Sequence, residues 1–240
     1  MYKNYIFDLY GTLVDIRTDE QIPVLWDKMT EMYGFQGAIY TPDELKKEYR
    51  RLCKIEDKKF EGKKYFEINI DYVFKALYEQ KGVHASDELV RFTGEMFRIV
   101  STEFIKYYDG VPEFFKELKE KNKKIYLLSN AQSTFTTPEI RYLGLWDYFD
   151  GIMISSEEEW KKPSENFFNR LIKKYNLNIK ESIMIGNDGS SDIAGARGVG
   201  MDSLYIYTEI SPFDEEPEKV EATYKVIDGD FKKISPLILK

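Results

Sequence analysis

The chain has 240 residues, 42% of them hydrophobic, and a net charge of −7. That length suits one large domain, or a core with an inserted unit, and gives ample material for a buried core. The acidic balance argues against a nucleic-acid or membrane-surface partner and for small-molecule chemistry. No apolar run approaches the length of a membrane span, and no charged, apolar, small-residue leader opens the sequence. The single cysteine, Cys53, forbids an internal disulfide and fits a reducing cytosol. A cytoplasmic monomer or homodimer is expected.

In chain order, residues 2–8 read as an apolar strand that runs into an acid, Asp8, and then a Gly11-Thr12 turn. Ile22, Leu25, Trp26, Met29, Met32 and Tyr33 recur at helical spacing, which predicts a helix over 20–33 that Gly34 and Gly37 break. Thr41-Pro42-Asp43-Glu44 reads as a helix start, with Thr41 capping, Pro42 in the first turn and Glu44 closing a capping box. A third helix carries Ile68, Tyr72, Val73, Ala76 and Leu77 and stops near Gly82. Ser86 caps a fourth through Val100. Residues 18–102 thus read as a run of helices with no convincing strand.

From about 104 the rhythm becomes helix–strand alternation, which argues a parallel sheet. Predicted strands cover Lys124 to Leu128, Gly151 to Ile154, Ser182 to Ile185, Leu204 to Tyr207 and Tyr224 to Ile227. The predicted helices between them carry Val111 to Leu118, residues 134–143, Phe167 to Tyr175, and Ile193 to Arg197. The acidic, Pro-containing stretch Glu209 to Glu221 reads as a surface loop.

Polar residues follow several of these apolar strands. They are Asp8 with Thr12, Ser129 with Asn130, the loop carrying Lys162, and Asp188 with Asp192. Strand ends on one edge of a parallel sheet converge, because right-handed crossovers align the strands. An acid, a hydroxyl, a lysine and two further acids would then meet. That set suits an anionic ligand: carboxylates for a divalent cation, Ser129 and Lys162 for ligand oxygens. Gly11 allows a sharp turn beneath the ligand, and Thr12 offers a hydroxyl and a backbone N–H to an anion. Asp188 and Asp192 lie four apart across a Gly-Ser-Ser turn, so both can face a metal at the start of the next helix. Taken singly, Ser129-Asn130 reads equally as a turn, Lys162-Pro163 as a solvated lysine, and Asp192 as a helix-start carboxylate.

The order Asp8-Leu9-Tyr10-Gly11-Thr12, Leu128-Ser129-Asn130, Lys162-Pro163, and Gly186-Asn187-Asp188 through Asp192-Ile193 resembles the haloacid dehalogenase-like hydrolase superfamily over the whole chain. The resemblance implies an α/β fold: a Rossmann-like, doubly wound parallel sheet at 1–17 and 103–240, with an inserted all-helical cap at 18–102. It implies Asp8 as nucleophile, and Gly11, Thr12, Ser129, Asn130 and Lys162 around the phosphoryl or carboxylate oxygens. It further implies Mg²⁺ held by Asp8, the Tyr10 carbonyl, Asp188 and Asp192.

Two positions depart from the phosphatases of that family. Tyr10 replaces the acid two residues after the nucleophile, and a phenol of ordinary pKa near 10 is a poor acid-base at neutral pH. Asn187 stands where many members have a metal-binding Asp, which leaves Asp188 to take that role. Tyr10 is also what the 2-haloacid dehalogenases carry, whose halide leaving group needs no proton. Such an enzyme needs an arginine from the cap, and Arg17, Arg50 and Arg51 are the candidates. His84, the only histidine, reads as a surface or inter-helix residue. The leading expectation is a Mg²⁺-dependent phosphatase acting on a small phosphate ester. A metal-independent 2-haloacid dehalogenase and a non-catalytic binder of a phosphorylated metabolite are the alternatives.

Overall fold

The computed structural model describes residues 1–239. Its six-stranded sheet is parallel throughout, in the order β5-β4-β1-β6-β7-β8. Here β1 is Asn4–Phe7, β4 Lys124–Ser129, β5 Gly151–Ile154, β6 Ser182–Gly186, β7 Asp202–Ile206 and β8 Tyr224–Val226. The chain leaves β1 for β4 and β5 on one side and returns to build β6, β7 and β8 on the other. β1 therefore lies at the point where the winding reverses, and ligands of open α/β sheets bind outside the carboxyl ends of the strands at such a point.

β1, β4 and β6 are almost wholly buried, as expected of parallel strands covered on both faces. Side chains alternate between the faces with the period of two. Tyr5 and Phe7 join a core with Phe114 and Phe115 of α5 (Val111–Glu120), whereas Ile6 joins Phe167, Phe168 and Leu171 of α8 (Glu165–Lys174).

Between β1 and α5 the chain makes β2 (Val14–Thr18), helices α1 (Pro23–Phe35), α2 (Pro42–Lys58), α3 (Ile70–Glu79) and α4 (Asp87–Ser101), and β3 (Thr102–Tyr107). The capping box forms: the Glu44 N–H donates to Thr41 Oγ1 at 3.3 Å, and the Thr41 N–H to the Glu44 carboxylate at 3.4 Å. Ser86 accepts from the Leu89 N–H. The four helices bury a core of their own, with Trp26, Tyr33, Tyr49, Phe74 and Phe97, joined by Phe135 of α6 (Ser133–Tyr142).

Several expectations need correction. The helix expected from residue 20 begins at Pro23, whose fixed φ suits a first turn. Residues 14–18 and 102–107 form an antiparallel two-stranded ribbon, Thr18 opposite Thr102, that brackets the helices and lies apart from the main sheet. Its outer residues are largely exposed, so no clean alternation marks it. The 209–221 stretch is not simply solvated. Glu215 accepts from the Gly189 N–H and from the Tyr205 hydroxyl. A π-helical turn, Gly189–Ile193, precedes α9 (Ala194–Gly198). His84 is exposed in a loop.

Candidate active site

Asp8 follows the last residue of β1, and its N–H donates to Ile185 O on β6 at 2.9 Å. Phe7 is in register with Leu127 on one side and Ile185 on the other. The strand ends carrying Ser129 and Asn187 therefore flank Asp8. The chain turns at Gly11, whose φ is +84°, and the Thr208 hydroxyl holds the Gly11 carbonyl at 2.7 Å. A Cβ at Gly11 would come within 2.1 Å of the Asn187 amide nitrogen. Glycine is thus required there both by conformation and by close approach.

The Lys162 ammonium lies 2.5 Å from Asp8 Oδ1 and 2.7 Å from Asp192 Oδ1. Lys162 is 3% exposed and Asp192 1%. Burial alone would lower the lysine's pKa, but the two carboxylates outweigh it and hold the ammonium above its usual value. Asp192 is pushed up to about 7, chiefly by burial, with the Asp8 and Asp188 charges adding to it and Lys162 opposing. Asn130 fixes the lysine from behind. Its side chain accepts from the Lys162 N–H at 2.7 Å and donates to the Lys162 carbonyl at 3.0 Å. Next to it, the 65–68 segment of the helical insert pairs with the same loop, through Lys161 N–H to Tyr65 O at 2.9 Å and a Phe66–Trp160 ring contact at 4.2 Å.

The Thr12 hydroxyl lies 3.3 Å from both Asp8 Oδ2 and Asn187 Oδ1. Asp188 Oδ1 accepts from the Ser190 and Ser191 N–H groups and the Ser190 hydroxyl. Asp192 Oδ2 accepts the Asp188 N–H at 3.1 Å. Ser129 is fully buried, and its hydroxyl has no partner among the described residues. Such orphans are rare in folded proteins and expected where a ligand completes the bonding. Asp8, Asp188, Asp192, Lys162 and Tyr10 line one cavity of about 240 Å³.

Asp192 Oδ1 faces the Lys162 ammonium and Oδ2 the Asp188 N–H. The Asn130 side-chain amide is bonded to the Lys162 backbone.

The Tyr10 side chain reaches α6. Its hydroxyl donates to Glu139 and lies 2.9 Å from Thr136 Oγ1. Burial and the neighbouring Glu139 charge push the phenol far above its usual pKa, against the pull of Arg98. Arg98, on α4, donates from Nε to Glu139 at 2.5 Å and lies over the rings of Tyr10 and Phe135 at 5.6 and 5.3 Å. Burial would lower the guanidinium, but Glu139 and Tyr10 reverse that and raise it.

Arg98 is therefore the arginine that the insert brings to the turn after Asp8. Arg17 faces Glu103, Arg50 bonds Gln21 and Arg51 pairs with Glu48. Neither Arg98 nor Glu139 stands out in the sequence. A basic residue in a last helical turn and an acid beside a helical proline both read as solvated surface.

A reversing parallel sheet, with an acid at the strand end where it reverses and a buried lysine beside it, defines a doubly wound α/β protein with a polar site at its carboxyl edge. A family model of haloacid dehalogenase-like hydrolases matches residues 2–200, and the chain belongs to that family. It is 27% identical over 218 residues to glyceraldehyde 3-phosphate phosphatase from Pyrococcus furiosus, covering 89% of this chain and 85% of the relative. The fold resembles that of the magnesium-bound HAD-hydrolase YfnB from Bacillus subtilis, at 19% identity and a TM-score of 0.57, covering 98% of each chain. It also resembles 2-haloacid dehalogenase from Pseudomonas syringae pv. Tomato DC3000, at 19% identity and a TM-score of 0.62, covering 94% of each. Fold likeness alone thus spans both chemistries.

Proposed function

We propose that this hydrolase releases phosphate from a small phosphate-bearing metabolite through attack by Asp8 on phosphorus. The observation that carries the reading is the Asp8 carboxylate, fixed by Lys162 at the reversal point of the sheet in a small polar cavity. The phosphatase names of relatives spanning most of the chain support it. In this reading Asp8 forms an aspartyl-phosphate, which water then hydrolyses. Lys162 aims the nucleophile and balances charge, Asn130 and Asp192 position Lys162, and the Ser129 hydroxyl takes a phosphoryl oxygen. Residues 1–17 and 103–240 serve as the catalytic core and 18–102 as a cap that encloses the substrate.

The donor set fits Mg²⁺. Among the described residues no three acidic side chains form a preformed cage. Mg²⁺ keeps several of its waters, however, and needs only one or two carboxylates plus substrate phosphate. Asp8 and Asp188 would supply those, with the Tyr10 carbonyl. The excess of carboxylates over ammonium groups in the cavity favours a cation. The ion would neutralise charge on the phosphoryl oxygens. Calorimetric Mg²⁺ titration should show binding to wild type and its loss in Asp188→Ala; equal binding would refute this ligand set.

Phosphate release from a panel of phosphate compounds, with and without Mg²⁺ and with Asp8→Asn as control, tests the activity. One observation favours a second reading: Tyr10 is the residue found in 2-haloacid dehalogenases. Metal-independent chloride release from 2-chloropropionate would establish that chemistry instead.

A further inference from the structure

The proton donors of the cavity restrict what can leave from phosphorus. Asp8 attacks and cannot also protonate a leaving group. Asp192 Oδ1 is ion-paired with the Lys162 ammonium at 2.7 Å, and Oδ2 accepts the Asp188 N–H. Asp188 Oδ1 accepts from three donors of its own turn. Lys162 points its ammonium at Asp8 and Asp192. The Tyr10 hydroxyl donates to Glu139. The position two residues after Asp8 thus holds a phenol committed to Glu139 in place of a carboxylic acid free to protonate a departing alkoxide. Protonation of that kind contributes roughly a hundred- to ten-thousand-fold to rate.

We propose, building on the phosphohydrolase reading, that the substrate is an acyl phosphate: a mixed anhydride of a small carboxylic acid and phosphoric acid. An Asp8 carboxylate oxygen bonds to phosphorus as the bond from phosphorus to the acyl oxygen breaks. That electron pair leaves on a carboxylate, which is stable at neutral pH without a proton. Water then attacks the aspartyl-phosphate, inorganic phosphate departs, Asp8 is regenerated, and the proton goes to solvent. The cavity, about 240 Å³, lies below the roughly 300–1,000 Å³ of pockets that hold drug-sized ligands. It suits a phosphoryl group with a short acyl tail, for which Ile210 and Pro212 offer apolar contact.

Acetyl phosphate and ethyl phosphate are nearly the same shape and differ in whether the leaving group needs a proton. Initial rates on the wild-type enzyme with Mg²⁺ give kcat/KM, which reports attack by Asp8. The expected ratio of acetyl to ethyl phosphate is a hundred or more after division by the ratio of their spontaneous hydrolysis rates. In parallel, p-nitrophenyl phosphate should outrun phenyl phosphate steeply. A corrected ratio below a hundred, with phosphate released from both, would overturn the acyl-phosphate assignment and leave the phosphohydrolase standing. No phosphate release from any of the four compounds would overturn the phosphohydrolase reading itself.

Discussion

Replacing Glu139 should loosen the junction between the helical insert and the core. Its carboxylate joins Tyr10 and Arg98, and the two charged side chains are only 11% and 17% exposed. Two charges about 4 Å apart attract by about 4 kcal/mol at an effective dielectric near 20. Removing one partner of a buried pair costs about 3–5 kcal/mol, because the other charge stays buried and uncompensated. Glu139→Gln keeps an acceptor for Tyr10, so the lower end applies, about 3 kcal/mol. At about 2–4 °C per kcal/mol for a chain of this size, the midpoint should fall by roughly 6–12 °C. Urea unfolding followed by circular dichroism measures the loss. Arg98→Met should cost a similar amount. The double variant Arg98→Met with Glu139→Met should recover part of it, since no lone charge remains. Single losses below about 1 kcal/mol, or strict additivity in the double variant, would show that the pair behaves as a solvated surface contact.

Gly11→Ala should destabilise the chain by about 2 kcal/mol or more, since a left-handed φ costs roughly 1–2 kcal/mol before the Asn187 clash is added. An unchanged melting temperature would contradict this. Asn130→Ala removes both hydrogen bonds that fix the Lys162 backbone, and kcat should fall at least tenfold with little change in the unfolding midpoint. Equal loss of stability and activity would point to a merely structural role. Burial raises the Glu67 carboxyl, with Lys161 and Ser155 opposing. The folded state therefore favours the protonated form, and its contribution declines as pH rises through the ordinary carboxylate range. Glu67→Gln should gain on wild type as pH rises above the ordinary carboxylate range; a flat difference in unfolding free energy would refute this. Tyr10→Asp should narrow the gap between acetyl and ethyl phosphate, measured as the ratio of their kcat/KM values.

The sequence carried the sheet well because its strands are buried on both faces and read as continuous apolar runs, as at Lys124–Ser129 and Ser182–Gly186. Helix starts were legible where a side chain caps them, at Thr41 and Ser86. The β2–β3 ribbon was not, since its pairing joins segments far apart in sequence and its exposed residues carry no periodic signal. At the site, Asp8, Lys162 and Asp192 could be named because each lies at or beyond a strand end. Their division of labour could not. Whether Asp192 meets a metal or a lysine depends on side-chain direction, which spacing leaves open. The Tyr10–Glu139–Arg98 cluster is the clearest omission. It draws on a turn, a core helix and an inserted helix that meet only in three dimensions.

The ribbon has a consequence for how this chain tolerates change. Because Thr18 faces Thr102 and the Asp19 N–H donates to Ser101 O at 2.8 Å, the four helices enter and leave through adjacent points. To the sheet, the whole insertion is the tip of one β-hairpin. Closing a long loop costs only slightly more than closing a short one. Helix lengths can therefore change at that tip while the strands beneath keep their pairing, provided Arg98 still meets Glu139 and the 65–68 segment still meets the Lys162 loop. The arrangement separates the part of the chain free to diversify from the part that must stay fixed for Asp8 and Lys162 to meet.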